Sequence, residues 1–254
     1  MEINRIYCMD CVDGMRQLPG GFVDLTVTSP PYDNLRTYHG FHFDFPEVAK
    51  ELYRVTKDGG VVVWIVNDAT VKGSETGTSF RQALGFMDAG FNLHDTMIWI
   101  KAGGGAVGSS LCYTQSTEYM FVLSKGKPKT VNLIIDRENV TAGSPPRKGG
   151  RRRQTGEVKE KRIMPHSVPL YSKRYNWWYY PNYRGYGNHP ATFPEPLARD
   201  HILSWSAPGD LVLDPFMGSG TTAKAARDNG RNYIGFDVSE EYCEIACERL
   251  KLEE

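Results

Sequence analysis

Two glycines separated by one residue mark a stretch, residues 214–222, whose composition fits ligand binding; we call it the glycine turn. It follows an apolar run and precedes a segment with helical character. Gly218 and Gly220 allow the backbone to turn sharply and to approach a ligand, and amides at the start of a helix can bind an anionic group. A later apolar run ends in Asp237, about 20 residues on, where a carboxylate accepts hydrogen bonds from ribose hydroxyls. The pattern predicts a site for a nucleoside-containing cofactor.

A second chemical signal is the sequence Ser-Pro-Pro-Tyr at residues 29–32, the Ser-Pro-Pro-Tyr turn. It directly follows an apolar, β-branched run that predicts a central strand. Two prolines cannot continue a hydrogen-bonded ladder, so the chain must leave the sheet there as a rigid, extended turn. Ligands of open α/β sheets bind outside the carboxyl ends of the strands. We therefore expect this turn and the glycine turn to face one pocket, although the prolines also fit a plain end to a strand.

Alternating strand and helix patterns surround the two turns. Apolar runs predict strands at residues 3–8, 22–28, 61–66, 92–101, 118–123, 211–213 and 233–236. Helical spacing of apolar residues predicts helices at residues 12–18, 45–56, 78–89, 195–204 and 240–251. Residues 57–60 predict a turn that ends the second helix. This alternation predicts an open, largely parallel α/β sheet.

Length and composition limit the class of protein. With 254 residues, the chain is one large domain or one domain with an inserted module. No apolar run approaches the roughly 18 residues of a membrane span, and the first residues lack a signal-peptide pattern, so we expect a cytoplasmic protein. Five cysteines fit a reducing compartment. The pairs Cys8/Cys11 and Cys243/Cys247 leave zinc or a disulfide as a minor alternative, and no metal is expected.

The zero net charge conceals an asymmetry. Residues 124–175 contain 14 Lys and Arg against 4 Asp and Glu, a net charge of +10, so the rest of the chain carries −10. A basic segment inside an acidic body predicts a polyanionic partner, most simply nucleic acid. Residues 124–188 also interrupt the strand–helix alternation, so we interpret them as an inserted module. We expect Trp177 and Trp178 to pack this module against the body, with stacking on a base as the alternative. The candidate nucleic-acid contacts are Asn34, Arg36, Arg147, Lys148, Arg151, Arg152 and Arg153, although each single arginine also fits a solvated loop.

The order of these motifs resembles a known family. Ser-Pro-Pro-Tyr, a basic insert, His-Pro-Ala-Thr-Phe-Pro at residues 189–194 and Asp-Pro-Phe-Met-Gly-Ser-Gly-Thr-Thr at residues 214–222 resemble the β group of DNA amino-methyltransferases. The resemblance implies a Rossmann-like S-adenosylmethionine-dependent methyltransferase fold, circularly permuted so that the catalytic motif precedes the cofactor motif. It implies a catalytic half at residues 1–123, an inserted target-recognition region at residues 124–188 and a cofactor-binding half at residues 189–254.

The resemblance also implies a binding site for S-adenosyl-L-methionine, which leaves as S-adenosyl-L-homocysteine. Either Thr221 or Thr222 would hold the methionine carboxylate, and Asp237 the ribose. Asp10 matches an acid near the adenine, although its position also fits a helix N-cap. The residues that the resemblance places in the cofactor site are Asp10, Phe193, Pro194, Asp214, Phe216, Gly218, Ser219, Gly220, Thr221, Thr222 and Asp237.

Ser29, Pro30, Pro31 and Tyr32 would form the catalytic motif. The exocyclic amine of cytosine or adenine is a poor nucleophile because its lone pair is delocalised into the ring. The Ser29 hydroxyl and the Pro30 carbonyl could accept hydrogen bonds from the two amino hydrogens and so stabilise charge that develops on nitrogen. Tyr32 would stack on a base flipped out of double-stranded DNA, with hydrophobic packing as its alternative.

Several alternatives remain open at the level of sequence. Serine at the first motif position favours N4 of cytosine within this family, with N6 of adenine as the alternative. A nicotinamide-dependent oxidoreductase, a methyltransferase of RNA or protein, and a non-catalytic DNA-binding protein are more distant alternatives. The sequence leaves open the recognition site, a homodimeric state, and whether a companion restriction nuclease exists.

Overall fold

A computed structural model describes residues 1–31, 44–102, 112–145, 148–149, 162–163, 167–181 and 193–251. The chain divides into a main unit, Met1–Asn132 with Asn176–Glu254, and a second unit, Leu133–Tyr175. Within the residues that are described, no helix is both long and apolar enough to cross a membrane.

Fourteen strands and six helices occur in the described residues. The strands are β1 (Arg5–Cys8), β2 (Val23–Thr28), β3 (Thr56–Val66), β4 (Thr70–Val71), β5 (Ser74–Glu75), β6 (Asn92–Ala102), β7 (Thr117–Ser124), β8 (Ile135–Glu138), β9 (Lys148–Gly149), β10 (Arg162–Ile163), β11 (Tyr171–Lys173), β12 (Trp177–Pro181), β13 (Leu211–Asp214) and β14 (Asn232–Asp237). The helices are α1 (Cys11–Arg16), α2 (Phe45–Val55), α3 (Thr78–Asp88), α4 (Glu195–Trp205), α5 (Thr221–Asp228) and α6 (Glu240–Leu250).

The main unit is built on an eight-stranded sheet with the order β1-β14-β13-β2-β3-β7-β6-β12. Strands β1, β14, β13, β2 and β3 pair in parallel, β7 pairs antiparallel with both neighbours, and β12 pairs parallel with β6. Seven of the eight strands therefore point the same way, which confirms the predicted α/β class. The order of the two turns along the chain is as expected, and the circular permutation that the resemblance implies stays a prediction.

Both faces of the sheet are covered at its centre. All six residues of β2 are buried. In β3, Val62 and Trp64 belong to the hydrophobic core under α1, α2 and α3, and the intervening Val63 and Ile65 are equally buried. Continuous apolar runs are typical of strands that are packed on both faces. The central strands are thus packed on both faces, and the carboxyl ends of the parallel strands lie along one edge of the sheet.

Strand β3 is longer than the sequence predicts. The sequence predicts a turn at residues 57–60, but they lie within β3, where the register against β2 shifts between Val23 and Leu25. The reason is that their backbone finds partners on the adjacent chain: Gly59 N donates to Lys125 O, and Lys125 N donates to Gly60 O. These bonds substitute for the solvent contacts of a free turn.

Strand β12 lies inside the range predicted as an insertion. It extends the main sheet by pairing with β6, so the second unit is shorter than residues 124–188. Trp178 is buried on β12 and its ring lies 4.5 Å from that of His201, whereas Trp177 and Tyr179 are exposed. The sequence does not reveal this alternation, because four consecutive aromatic residues carry no polar–apolar period.

The second unit contains short antiparallel pairs, β8 with β11 and β9 with β10. Arg174 forms an ion pair with Asp136, and hydrogen bonding to Arg174 lowers the pKa of that carboxyl. The guanidinium of Arg137 lies 4.5 Å from the ring centroid of Tyr175, a cation–π contact. Two of the basic residues counted in the sequence therefore have partners inside the unit.

Candidate active site

The carboxyl ends of parallel strands bring the predicted site residues to one edge of the sheet. Asp10 follows β1, Asp237 ends β14, Asp214 ends β13 and Ser29 follows β2. The register pairs Cys8 with Asp237 and Asp214 with Gly235. The Ser-Pro-Pro-Tyr turn and the glycine turn are thus neighbours, as the sequence predicts.

A side-chain hydrogen bond joins the end of β2 to the first residue of the glycine turn. Thr28 Oγ1 donates to Asp214 Oδ1 at 2.6 Å across a separation of 186 residues, and Phe216 N donates to the same oxygen at 3.1 Å. Both Thr28 and Asp214 are buried. The residue before Ser29 and the first residue of the glycine turn are therefore in direct contact inside the fold.

Asp214 is an ionisable residue buried where β13 meets the glycine turn. Burial raises the pKa of its carboxyl to about 6, and hydrogen bonds from Thr28, Thr222 and the Phe216 amide oppose that rise. Only 1% of the residue is exposed. The geometry makes Asp214 a link between the turns, and its predicted contact with a cofactor stays a prediction.

The glycine turn depends on its two glycines for different reasons. Gly218 and Gly220 have φ values of 50° and 76°, in the left-handed region that L-residues rarely adopt. A Cβ on Gly220 would lie 3.0 Å from Ala246 Cβ on α6. Gly218 N donates to Asp237 Oδ2 at 2.8 Å. The turn is therefore packed against α6 and tied to the end of β14.

Asp237 is half-buried and held by backbone amides. Its Oδ1 accepts from Ser239 N at 2.9 Å, while Oδ2 accepts from Gly218 N. Burial raises its pKa, and these amides oppose the rise. The two amides thus fix the orientation of the carboxylate at the carboxyl end of β14, and its role in binding ribose hydroxyls stays a prediction.

Asp10 caps a helix, which is the alternative role that its sequence position indicates. Its Oδ1 accepts from Val12 N at 2.8 Å and from Asp13 N at 3.2 Å, so it caps the N-terminus of α1. The residue is exposed and lies just beyond the strand that pairs with β14. A contact with adenine from this position stays a prediction.

The two threonines at the start of α5 differ in how their hydroxyls are used. Thr222 Oγ1 lies 3.0 Å from Val27 O and also hydrogen-bonds to Asp214, so the acceptors for its proton lie within the fold. Thr221 Oγ1 instead accepts from Arg249 Nη1 at 3.0 Å, which leaves its own proton available for an acceptor. This difference favours Thr221 over Thr222 as the donor to a carboxylate.

The remaining predicted residues fall into three groups. Phe193 is buried and Pro194 precedes α4, while Phe216 packs on Trp64 with ring centroids 6.0 Å apart. Pro30 is buried, and Ser29 and Pro31 are half-buried at the end of β2. Predicted residues outside the described part of the chain are Tyr32, Asn34, Arg36, Arg147, Arg151, Arg152 and Arg153, and of Lys148 only the backbone strand is described.

Sequence reasoning missed the charged residues beneath the glycine turn. Arg249 donates to Ser219 O, to Thr221 Oγ1 and to Glu195 Oε2, and Glu195 also accepts from Lys224. These residues lie on three helices that are far apart in the chain. No local spacing could have indicated their meeting.

A second charged pair also carries no signal in the sequence. Glu118 is buried and forms an ion pair with Lys101, whose ammonium lies 4.8 Å from the ring centroid of Trp99. Among the described residues, no group of His, Cys, Asp and Glu side chains could hold a metal ion, and the five cysteines are free thiols.

A glycine turn, a half-buried acid on the next strand and a largely parallel sheet define a nucleoside-binding α/β protein. A family model described as DNA methylase, for N6 and N4 methyltransferases, matches residues 23–248. The orphan methyltransferase M.BamHII of Bacillus amyloliquefaciens is 56% identical over 237 residues, which cover 90% of this chain and 89% of that relative. The chain therefore belongs to the DNA methylase family and is a DNA methyltransferase.

Solved structures show the same fold. The cytosine-N4-specific PvuII DNA methyltransferase has a TM-score of 0.69 at 21% identity, with 96% of this chain and 85% of that chain covered. A DNA modification methylase from Thermus thermophilus, solved in complex with S-adenosyl-L-methionine, has a TM-score of 0.63 at 23% identity over 96% and 93% of the two chains. At these identities the likeness establishes the fold.

Proposed function

We propose that this DNA methyltransferase transfers a methyl group from S-adenosyl-L-methionine to N4 of cytosine in double-stranded DNA. The observation that carries the proposal is the Thr28–Asp214 hydrogen bond, because it joins the residue before Ser29 to the first residue of the glycine turn. Methylation of adenine N6 is the alternative, since both bases present an exocyclic amine beside a ring nitrogen. Serine at position 29 favours cytosine by resemblance to the family.

The residues present fit such a cofactor. Gly218 and Gly220 remove side chains from the turn, and a half-buried carboxylate, Asp237, faces the same edge. Thr221 has a hydroxyl proton to offer at the start of α5. Together they match a ligand that has ribose hydroxyls at one end and a carboxylate at the other. When bound, S-adenosyl-L-methionine supplies an electrophilic methyl group on its sulfonium.

The Ser-Pro-Pro-Tyr turn would activate the target amine. The Ser29 hydroxyl and the Pro30 carbonyl would accept hydrogen bonds from the two amino hydrogens, which raises electron density on nitrogen. As the bond from nitrogen to the methyl carbon forms, the bond from that carbon to sulfur breaks, S-adenosyl-L-homocysteine leaves, and the nitrogen releases one of its hydrogens to water as a proton. Pro30 is buried and Pro31 has a fixed φ, so the carbonyl direction is set before the base arrives. Fixed alignment of the amine and the methyl donor lowers the barrier further.

DNA recognition would involve Tyr32, the residues just after it and the basic region. The target amine is engaged in base pairing, so the base must leave the duplex, and Tyr32 would stack on it. We assign phosphate and base contacts to residues 124–188, because this region carries the basic excess, with Asn34 and Arg36 close to the flipped base. Residues 1–123 and 189–254 supply the catalytic and cofactor-binding halves.

Removal of one hydroxyl tests the proposal. Ser29→Ala should keep cofactor binding and reduce the rate of methyl transfer by roughly 100-fold or more, on the order of one lost oxyanion-type contact. The measurement is transfer of labelled methyl groups to duplex DNA, with equilibrium binding of S-adenosyl-L-methionine in parallel.

Thr26→Val is the matched control. It replaces a hydroxyl on the strand that leads into the same turn, and Thr26 Oγ1 is buried without a hydrogen-bond partner among the described residues. This variant should keep the wild-type rate and be at least as stable, since it removes an unsatisfied buried group. Unchanged turnover in Ser29→Ala would remove Ser29 from the mechanism, and preference for NAD over S-adenosyl-L-methionine would overturn the function.

A further inference from the structure

One guanidinium lies beneath the glycine turn and touches three parts of the main unit. Arg249, in the last turn of α6, has a side chain that is only 5% exposed. Its Nη1 donates to Ser219 O at 3.1 Å and to Thr221 Oγ1 at 3.0 Å, with Ser219 Oγ at 3.5 Å. Its Nη2 donates to Glu195 Oε2 at 3.2 Å. Arg249 therefore connects the turn, the start of α5 and the start of α4.

These bonds fix the peptide between Ser219 and Gly220. Its carbonyl accepts from Arg249, and its amide, Gly220 N, donates to Met217 O at 3.0 Å. Glycine with a positive φ has little intrinsic preference for one orientation, so the peptide needs outside contacts to stay in place. A planar guanidinium supplies them with a rigid geometry that an ammonium group lacks.

Arg249 also sets the direction of the Thr221 hydroxyl. Because the hydroxyl oxygen accepts a hydrogen from the guanidinium, its own proton must point elsewhere. A hydroxyl that accepts from a cation is also a stronger donor. At the N-terminus of α5, such a donor is suited to an anionic group.

Glu195 holds the guanidinium in this orientation. Its two oxygens are divided between Arg249 and Lys224, and Lys224 Nζ lies 2.9 Å from Oε1 and 2.6 Å from Asp228 Oδ2. The chain of alternating charges leaves the buried cation with a counter-ion, which a buried charge requires. Glu195 directly follows Pro194, so the network links the glycine turn to the segment at residues 193–194.

We propose that Arg249, oriented by Glu195, is a positioning residue for the carboxylate end of the cofactor. This inference rests on the proposed function. Arg249 acts through the Ser219 carbonyl and the Thr221 hydroxyl, so it affects ligands that carry the amino-acid moiety and leaves the nucleoside end alone.

Two ligands that differ in that moiety separate positioning from plain stability. S-adenosyl-L-homocysteine has the carboxylate, and 5′-methylthioadenosine lacks the amino-acid moiety. In Arg249→Gln, the affinity for the first should fall at least tenfold, and the affinity for the second should stay within twofold of wild type. With duplex DNA as substrate, KM for S-adenosyl-L-methionine should rise while kcat changes little.

Arg231→Gln is the matched control. Arg231 is also buried and donates to Ser206 and Asn229, but it lies at the opposite edge of the sheet, before β14. Its variant should lose thermal stability and keep both affinities. Arg249→Lys retains the charge with one nitrogen in place of the fork, so it should recover part of the selective loss and serves if Arg249→Gln does not fold.

The outcomes distinguish two failures. Suppose that wild type binds S-adenosyl-L-homocysteine, and that the Arg249 variants either bind both ligands less tightly by the same factor or bind both as wild type does. The positioning role is then wrong and the proposed function stands. If wild type binds neither ligand, the proposed function itself fails.

Discussion

At the scale of residues, the site depends on a buried carboxyl that is not the one expected to bind ribose. Asp214 joins the two turns through Thr28 and the Phe216 amide. The sequence indicates that an acid begins the glycine turn, but its partner is 186 residues away and has no local signature. Asp10 is easier to interpret, because an acid just before a helical pattern fits an N-cap, and it forms one.

The raised pKa of Asp214 predicts a pH dependence of stability. Its ordinary value of 3.8 becomes about 6 in the folded protein. Between these pH values the folded chain keeps a proton that the unfolded chain has released, so stability falls as pH rises from about 4 to 6. When Asp214 is fully ionised, the free energy of unfolding is lower by on the order of 3 kcal/mol.

Asp214→Asn should remove that dependence. Asparagine keeps the Oδ1 acceptor for Thr28 and Phe216, so the variant should be more stable than wild type at pH 7, by up to about 3 kcal/mol, and the gap should close towards pH 4. Urea unfolding at several pH values measures the difference. Burial lowers the pKa of His201 to about 3, so this group makes stability rise with pH over the same window. Because His201 is present in both proteins, its contribution cancels in the difference between them. Asp237, the acidic neighbour that adds to the raised pKa of Asp214, is also common to both. Parallel curves for the two proteins would contradict the role given to Asp214.

At the scale of elements, the glycine turn is shaped by the close approach of α6 to the start of α5. Gly220 and Gly230 bracket α5 and have nearly equal φ values, 76° and 75°. A Cβ on Gly220 would meet Ala246, whereas a Cβ on Gly230 would meet nothing within 4 Å. A side chain at either position would strain the backbone by a similar amount. Only at Gly220 would it also crowd a neighbouring helix.

Alanine substitutions at these glycines should therefore have unequal effects. Gly230→Ala should lose about 1 to 2 kcal/mol, the cost of a left-handed L-residue, and keep cofactor affinity. Gly220→Ala should lose at least about 1 kcal/mol more through overpacking and should also weaken cofactor binding. Chemical denaturation and equilibrium binding measure both. Equal losses would mean that α6 does not shape the turn.

Most elements could be predicted because their apolar periods are local. The strands that lead into both turns and the helices that follow them lie close to their predicted positions. The exceptions have tertiary causes. Residues 57–60 join β3 because Lys125 supplies backbone partners, and β12 joins the sheet because β6 offers a free edge to pair with.

At the scale of the whole molecule, charge is separated along the chain. Residues 124–175 carry +10 and the remainder −10. Some of the basic residues are used within the second unit, as the Arg174–Asp136 pair shows. Arg151, Arg152 and Arg153 lie outside the described residues, and the composition of their surroundings makes them the densest cationic run for a phosphate backbone.

Neutralisation of that run should weaken DNA binding in a salt-dependent way. Changing Arg151, Arg152 and Arg153 to Gln should lower affinity and reduce the slope of log K against log salt by about 0.9 for each lost phosphate contact. The control is a triple Gln variant of Arg5, Arg16 and Lys50, which are more than half exposed on the main unit. Identical slopes for the two triple variants would take the arginine run out of the interface.

Only the outline of the candidate site could be predicted from the sequence. The class of fold and the pairing of two turns at one sheet edge follow from motif order and strand direction. The network of Arg249, Glu195 and Lys224 could not be predicted, because it depends on how three helices pack. The preference for cytosine over adenine comes from the family resemblance of Ser29 alone, since both bases offer the same amine to its hydroxyl.

The most direct test is to identify the product. Purified protein would be incubated with duplex DNA and S-adenosyl-L-methionine, and the DNA digested to nucleosides for mass spectrometry, with Ser29→Ala as control. The expected product is N4-methyldeoxycytidine, which the control should form at a rate lower by roughly 100-fold or more. N6-methyldeoxyadenosine alone would overturn the assignment to cytosine, and 5-methyldeoxycytidine or no methylated nucleoside would contradict methylation of an exocyclic amine.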